Sequence, residues 1–441
     1  MTGRAAAGAG LRNHVLRTNA NLRRSFLADL TSNLGSALST LAYPLLVLSL
    51  GGSAVQAGTV ATVSLATRLG LRLPAGSLVD RWNRRTVMLL ADLVRCVAVA
   101  TIPLVALWSA TPYWQLLLVA VIEGSASALF GPANSVLTRD IVAPSELADA
   151  LGVNQAMLSA VNLAGPALGG ALFAVDPLLP FTVDAASYAL SALLIRRITV
   201  RPSGVESAPT DLDAAEPGDR SATAGLRWLI AQRELLVVLL YAAVINLVSA
   251  AIDVTVILDL RAGGASGSLI GPILSCAGAG GIIGSLLSPW LVRRLSMRAI
   301  VLGIGVVWTA VLAVFAVAFQ PALVAVLLTL LMLLSPAAGV VVFKALLGQT
   351  PRHLVGRVSA ATSLLLNGLA ALGPVAAGSL YQSLGGAPAW AALALLTGAV
   401  TAGGWLPLRA ARPRGVAPEP AVAPESAVLA HAVEPTGSEH D

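Results

Sequence analysis

The chain has 441 residues, of which 56% are hydrophobic and 11% charged, with a formal net charge of +6 and a mean hydropathy of +0.81. A soluble domain usually has about 25% charged residues, so this composition excludes an ordinary globular protein. It predicts an integral membrane protein, and because lipid offers the backbone no hydrogen-bond partners, the spans should be helices. The net charge does not indicate nucleic-acid binding, since the arginines stand in short runs between apolar segments.

The first 24 residues hold five arginines and no apolar core of the signal-peptide type. We predict a cytoplasmic arm there, not a cleaved signal. Segments long enough to cross a bilayer, about 20 apolar residues each, follow along the chain, and we predict twelve. They cover residues 25–50, 54–78, 86–108, 113–137, 150–174, 178–198, 235–260, 267–291, 298–319, 321–348, 356–383 and 387–408.

The positive charges predict the orientation of these spans. With twelve spans, one side receives the N-terminal arm and the arginine-rich loops, and Arg261 is the only basic residue assigned to the other side. Such asymmetry predicts a multi-pass protein of the inner cell membrane with both termini in the cytoplasm. An even number of spans is required for that orientation.

An internal repeat relates two parts of the chain at a shift of 208 residues. The alternative is a chance match in a chain rich in glycine, alanine and leucine. The repeat predicts two six-helix halves of the same topology, related by an axis along the membrane normal. The matching positions are Gly76-Ser77-Leu78 with Gly284-Ser285-Leu286, Arg85 with Arg293, Gly165-Pro166 with Gly373-Pro374, and Gly170 with Gly378.

The predicted organisation has five parts. They are an N-terminal arm (residues 1–24), a first half (25–200), a cytoplasmic linker (201–224), a second half (225–409) and a disordered tail (410–441). The linker and tail are rich in proline and polar or small residues and cannot bury a core. Where the second half begins, Leu226, Leu229 and Ile230 share one helical face, which predicts an interfacial helix. A partner-binding helix is the alternative.

No pattern indicates an enzyme, a cofactor or a metal site. The chain has no Walker-type Gly-Lys-Ser/Thr sequence, and its four histidines are scattered over loops and termini. Cys96 and Cys276 both fall within apolar spans, where cysteine usually serves as a small packing residue. We therefore predict no disulfide.

A charged turn joins the second and third spans, with the sequence Gly76-Ser77-Leu78-Val79-Asp80-Arg81-Trp82-Asn83-Arg84-Arg85. A hairpin whose charges set the orientation is the simplest interpretation. Asn83 tolerates the left-handed conformation that a tight turn can need. The pattern resembles the loop between the second and third helices of the major facilitator superfamily, Gly-x-Leu-x-Asp-Arg followed by a small residue and Arg-Arg. Asn83 stands where that family usually has glycine.

Other segments extend the resemblance to nearly the whole chain. The run Gly165-Pro166-Ala167-Leu168-Gly169-Gly170 resembles the core of a motif associated with antiporters of this superfamily, although Val161 replaces a further glycine. An ordinary kinked, close-packed helix is the alternative. Ala120 stands where the superfamily often has an arginine. The loops that begin at Pro144 and Pro351 resemble those of the siderophore and macrolide exporters.

The resemblance implies a conformational latch on the cytoplasmic side. Asp80 would interact with the positively polarised start of the eleventh helix, near residues 355–358. Arg84 or Arg85 would pair with an acid, for which Asp140 is a candidate. Ser288 replaces the acid in the second copy of the turn. The complete set of predicted latch residues is Gly76, Asp80, Arg81, Arg84, Arg85 and Asp140.

Charged residues inside the spans carry the predicted chemistry, because each needs a partner or a wet cavity. Glu123 and Asp29 have no oppositely charged residue one helical turn away, and a carboxyl group in low dielectric can exchange a proton at physiological pH. We predict that Glu123, Asp29 or both carry protons, with Asp253 as a third candidate. Neutral carboxyl groups that hold helices together are the alternative. The other membrane charges are Arg68, Arg72, Asp92, Arg95, Asp184 and Lys344.

Snorkelling or a structural ion pair is the simpler explanation for Arg72, Arg95 and Lys344. Asp92 and Arg95 are three residues apart and can pair locally. The predicted function is a secondary transporter, a proton-coupled efflux antiporter for an amphipathic small molecule such as a drug, macrolide or siderophore. Its partners would be that substrate, protons and the bilayer, with no nucleic acid, and it would act as a monomer. Uptake by symport and a non-transporting membrane scaffold are the two alternatives.

Overall fold

The computed structural model describes residues 19–199, 224–351 and 354–410. Most of the predicted arm, nearly all of the linker and nearly all of the tail lie outside these residues. The described part is helical and contains no strand. Its first helix begins at Ala20, so the end of the predicted arm belongs to the first span.

Six helices form the first half. Asn19 caps the first of them, where its side chain accepts hydrogen bonds from the backbone N–H groups of Asn21 and Leu22. A short 3-10 turn, Pro144–Glu146, precedes the fifth. The six are α1 (Ala20–Ser49), α2 (Ala54–Arg81), α3 (Arg84–Ala106), α4 (Tyr113–Ile141), α5 (Leu147–Val175) and α6 (Leu179–Arg196).

Asn83 has a different role from the one predicted. It has φ −65° and ψ 113°, which is extended and not left-handed backbone. Its side chain accepts a hydrogen bond of 3.3 Å from the Thr86 N–H. Asn83 is therefore the N-cap of α3, a position that asparagine favours because its oxygen satisfies a free N–H group at the helix start.

The second half repeats this order after one short helix, α7 (Ala224–Ala231). Its spans are α8 (Arg233–Ala262), α9 (Gly267–Arg294), α10 (Met297–Val317), α11 (Pro321–Gln349), the pair α12 (Val355–Ala370) and α13 (Gly373–Leu384), and α14 (Gly386–Ala410). The predicted eleventh span is thus two helices. The break precedes Pro374, which has no N–H group to continue the helical hydrogen bonds.

The predicted short helix is present as α7, but its apolar residues do not share one environment. Leu229 is buried, whereas Leu226 and Ile230 are exposed. Gly225 packs against the backbone of Arg357, near the start of α12. This contact ties α7 to the first turn of α12.

By length and composition, nine of the described helices could cross a membrane. They comprise α3, α4 and α5 in the first half and all six spans of the second, with α12 and α13 counted as one. The helices α1, α2 and α6 are not among the nine, and these three carry the polar residues Asp29, Arg68 and Asp184. The predicted bundle of about twelve helices in two six-helix halves is confirmed, and Cys96 and Cys276 are both free.

Arginines gather at one end of the bundle. α1 begins at this arginine-rich end, and the turns from α2 to α3 and from α9 to α10 lie there with Arg84, Arg85, Arg293 and Arg294. The turns that follow α1, α3 and α8 lie at the other end. The two halves meet along two helix pairs, α5 with α9 and α2 with α13.

Candidate functional site

The glycine–proline motif of α5 lies between the two halves. Gly165 packs against Ala37 and Gly169 against the backbone of Leu38, both on α1. Gly170 faces the backbone of Gly267 and Gly271 on α9 in the other half, where an added Cβ atom would collide with main-chain atoms. The glycines therefore allow α5 to approach helices of both halves closely.

Each copy of the motif also makes a hydrogen bond to the opposite half. The N–H of Ala167, directly after Pro166, donates to Ser275 Oγ at 2.8 Å. The N–H of Val375, directly after Pro374, donates to Thr62 Oγ1 at 3.0 Å. These two donors are equivalent positions under the 208-residue repeat, so each half donates one such hydrogen bond to the other half.

A third hydrogen bond between the halves joins the Val55 N–H to Gln382 at 3.3 Å. All three of these bonds lie toward the end opposite the arginine-rich end. We call this the closed end of the bundle.

A cavity of about 530 Å³ lies between the halves on the arginine-rich side of these contacts. Apolar residues form most of its wall, with single prolines from α1, α5, α11 and α13. Asp253 of α8 is the one charged residue in the described lining, and its side chain is exposed to the cavity. No hydrogen bond or ion pair to Asp253 is found within the described part of the chain. The cavity therefore offers a single free carboxyl group in an apolar wall.

A second group of acids is buried inside the first half, away from the cavity wall. These acids lie along a polar stripe of α1, whose residues recur at helical spacing. The stripe is formed by Ser25, Asp29, Ser32, Ser36, Ser39 and Tyr43. Such spacing places all six side chains on one face of the helix. The neighbouring face, with Ala37, Thr40 and Leu41, lines the cavity. One helix thus touches both sites.

Glu123 of α4 is 8% exposed and lies at the end of this stripe. The Tyr43 hydroxyl of α1 donates a hydrogen bond to one of its carboxyl oxygens. The Tyr188 hydroxyl of α6 donates to the other at 3.1 Å and lies 2.8 Å from Ser36 Oγ. Glu123 therefore connects three helices through two tyrosines.

Arg95 of α3 is the only buried cation of the described residues. It forms the predicted ion pair with Asp92, and its Cζ atom lies 4.5 Å from the Tyr188 ring centroid and 4.7 Å from that of Phe130. Contact with the faces of aromatic rings stabilises a buried guanidinium. The spacing of the two residues thus predicted their contact, and the pair lies next to the tyrosine that binds Glu123.

Two further acids complete this group. Asp29 accepts hydrogen bonds from Asn33 at 2.7 Å and from Asn154 of α5 at 3.1 Å. Asp184 of α6 is fully buried and accepts a hydrogen bond from Ser39. The buried network thus contains four carboxyl groups, those of Asp29, Asp92, Glu123 and Asp184, against the single guanidinium of Arg95.

The structure brings two of the predicted latch residues together. Arg84 Nε lies 4.0 Å from Asp140 Oδ2, and both side chains are partly exposed. Arg85 instead donates to the backbone carbonyl groups of Ile195 and Arg196 at the end of α6. The surroundings of Gly76 and the side chains of Asp80 and Arg81 lie outside what the structure describes.

The remaining predicted charges lie outside the buried network. Arg68, Arg72 and Lys344 are exposed. Arg68 and Arg72 continue the helical face of α2 on which Ala61 and Leu65 line the cavity. This spacing places both arginines between the cavity and the arginine-rich end.

Sequence reasoning missed Tyr43 and Tyr188, the two donors to Glu123, and it set Asp184 apart from the proton candidates. The α1 stripe was the available signal, since six polar residues at helical spacing in a membrane span indicate a buried polar interface. Asp253 was grouped with Glu123 and Asp29, but it belongs to the cavity.

Comparison with known proteins identifies the family. The family model of the Major Facilitator Superfamily matches residues 25–374. Multidrug efflux pump Tap of Mycolicibacterium fortuitum is 27% identical over 381 residues, 81% of this chain and 88% of that protein. Tap of Mycobacterium tuberculosis (strain ATCC 25618 / H37Rv) is 34% identical over 197 residues, 42% of this chain and 46% of that protein. The chain thus matches about half the length of this curated relative.

Macrolide efflux protein A of Streptococcus pyogenes is 29% identical over 127 residues, 27% of this chain and 31% of that protein. Among solved structures, the nucleoside transporter NupG has a TM-score of 0.72 at 14% identity, covering 89% of this chain and all of that one. A bacterial homologue of the lysosomal transporter Spinster, in an inward-facing and unoccupied conformation, has a TM-score of 0.69 at 15% identity, covering 90% and 97%. These structural likenesses concern the fold. The family match spans most of the chain, and the chain belongs to the Major Facilitator Superfamily.

Proposed function

We propose that the protein exports amphipathic organic cations in exchange for protons. The observation that carries this proposal is the separation of two acidic sites, Asp253 alone in the central cavity and Glu123 inside the first half. The relatives named as multidrug and macrolide efflux proteins support export of drug-like molecules. The positive-inside rule supports a cytoplasmic location for the arginine-rich end, and in that orientation the cavity lies on the cytoplasmic side of the contacts between the halves. The transporter acts as a monomer.

Asp253 binds the positive charge of the substrate. An uncompensated carboxylate in an apolar wall is unfavourable, so it requires either a proton or a cationic partner. A proton and the substrate therefore compete for this one group. Competition of this kind couples the two movements, because each occupant has to leave before the other binds.

Glu123 carries the second proton-dependent step. The network has three more acids than bases, and buried charges without partners are strongly destabilising, so some of its carboxyl groups hold protons. When Glu123 is ionised, both tyrosines donate to it. When Glu123 takes a proton, one of them has to turn away or accept. Tyr43 precedes Pro44, a cavity-lining residue of α1, which links this change to the cavity.

Reconstituted protein tests the exchange directly. Proteoliposomes are given a pH gradient, and the movement of ethidium is followed by fluorescence. Antiport moves ethidium toward the acidic compartment, symport moves it away from that compartment, and a scaffold protein moves none. Reversing the gradient should reverse the direction of transport. Movement of ethidium away from the acidic side, or no movement, would reject the proposal.

The latch role of Asp80 remains part of the proposal. The Arg84–Asp140 pair supports it, because an exposed pair of this kind contributes roughly 0–1 kcal/mol and can break easily during a conformational cycle. We expect Asp80→Asn to insert into the membrane at normal levels and to transport poorly. Membrane protein amounts and ethidium transport should be measured together. Wild-type transport by this variant would reject the latch.

A further inference from the structure

A second cavity lies inside the second half and touches the central one. Its volume is about 320 Å³, and residues of α8, α10, α11 and α12 line it. Ser249 and Met332 belong to the walls of both cavities. A molecule bound in the central cavity can therefore extend into the second one.

The two halves differ at the level of the second cavity. The 208-residue shift carries Asp92, Arg95, Glu123 and Asp184 to Ile300, Gly303, Leu331 and Ala392. The second half thus has no counterpart of the buried charges at these positions. It has instead a mostly apolar cavity, whose wall includes Val301 and Ile304, next to those equivalent positions.

Two buried polar groups in this wall lack partners. Trp308 is 1% exposed and its Nε1–H has no hydrogen-bond acceptor, and Thr362 Oγ1 is likewise unpartnered. Asn246 of α8 also lines this cavity, and the described residues offer its amide no hydrogen bond. Buried donors nearly always have a partner, so an orphaned indole N–H on a residue that lines a cavity indicates a missing acceptor.

α8 connects this site with Asp253. Asn246, Ser249 and Asp253 stand at positions i, i+3 and i+7 and so share one helical face. Seven residues of helix rise by about 10 Å. The three polar groups therefore follow one line from the second cavity to the central carboxyl group.

We propose that the second cavity binds the apolar arm of the transported cation and that Trp308 donates to an acceptor oxygen on that arm. The ligand class is an organic cation with an apolar, ring-bearing arm that carries a carbonyl oxygen and is long enough to span the rise of about 10 Å from Asp253 to Asn246 at the second cavity. This inference rests on the proposed function, since it takes Asp253 as the site of the positive charge. It adds the requirement that the neutral end of the substrate enters the second half.

Two matched probes, which share the positive charge, test the need for the carbonyl oxygen by itself. The first is 6-(4-benzoylphenyl)hexyl-trimethylammonium, and the second is 6-(4-benzylphenyl)hexyl-trimethylammonium, which lacks the carbonyl oxygen. Their binding to purified protein is measured by calorimetry. The wild-type protein should bind the carbonyl probe about tenfold more tightly, as one net hydrogen bond implies. Trp308→Phe keeps an aromatic ring but removes the N–H, and it should abolish that preference.

Gly339→Leu fills the second cavity. Gly339 lines it, and a Cβ atom added there meets no atom within 4 Å, so a side chain can begin at this position without a backbone collision. It should weaken both probes about tenfold or more by excluding the aromatic arm. Gly303→Leu is the matched control, because Gly303 is also open within 4 Å but lines neither cavity. The control should bind both probes as the wild type does.

The outcomes distinguish this inference from the proposed function. If both probes depend on Asp253 but Trp308→Phe keeps the carbonyl preference and Gly339→Leu binds normally, the second cavity is not a substrate site. If Asp253→Asn binds both probes as tightly as the wild type, the proposed cation site fails instead. The benzophenone probe also labels its contacts on irradiation. Labelling of α10 or α11 around the second cavity supports the inference, and labelling confined to the central cavity overturns it.

Discussion

Glu123→Gln is expected to abolish proton-driven export while leaving substrate binding unchanged. The substitution keeps the size of the side chain and one oxygen that can accept a hydrogen bond, but the group can no longer take up a proton. Tyr43 and Tyr188 then meet the same neutral amide throughout the cycle. The two tyrosine arrangements proposed for ionised and for protonated Glu123 would then lose their difference in free energy. A ligand shifts such an equilibrium only by its differential affinity for the two states.

The measurement is ethidium transport in proteoliposomes with and without a pH gradient. In Glu123→Gln, transport driven by the gradient should fall at least about tenfold, which corresponds to a barrier about 1.4 kcal/mol higher. Exchange of ethidium against ethidium needs no proton and should continue. Glu146→Gln makes the same chemical change in the 3-10 turn outside the network and is the matched control. Full coupling in Glu123→Gln would remove Glu123 from the mechanism.

Asp253→Asn is expected to weaken the binding of cationic substrates and to spare neutral ones. Asp253 is the one charged residue in the described cavity wall, so no neighbouring acid there can replace it. For a cation with an N–H donor, a hydrogen bond to a charged group contributes about 1.5–3 kcal/mol, which corresponds to a loss of roughly ten- to a hundredfold in affinity. The shape of the cavity should not change, because asparagine has nearly the size of aspartate.

Calorimetry with a cation and a neutral analogue at several pH values gives the measurement. In the wild type, cation binding should weaken as the pH falls, because a protonated Asp253 has no charge to offer. In Asp253→Asn that pH dependence should disappear. Asp176→Asn is a suitable control, since asparagine keeps the Oδ1 acceptor for the Leu178 N–H in the turn before α6. Unchanged cation affinity in Asp253→Asn would exclude this residue from the substrate site.

Local sequence was sufficient to predict the helices, but it was insufficient to predict which side chains on different helices contact each other. Length and hydropathy predicted the spans, and the spacing of Asp92 and Arg95 predicted their pair, because both signals lie within one helix. The partners of Glu123 lie 80 and 65 residues away in the chain. Only the packing of α1, α4 and α6 brings them together.

Predictions for individual residues failed where the surrounding structure selects between two possible roles. Asn83 could serve in a left-handed turn or as a helix cap, and the start of α3 selects the cap. The eleventh span appeared continuous because its hydropathy is continuous, but Pro374 interrupts the backbone hydrogen bonds. Asp253 and Glu123 appeared alike as lone acids in spans. Their environments differ because one faces the gap between the halves and the other faces the inside of one half.

The paired contacts made by Ala167 and Val375 have a consequence for leakage. Each half gives one donor and one hydroxyl acceptor, so a rigid rocking motion strains both bonds at the same moment. If only one of these two bonds broke, the other would still hold the closed end together and keep it blocked. The closed end should therefore open in a single cooperative event, with no partly open intermediate through which protons leak without substrate.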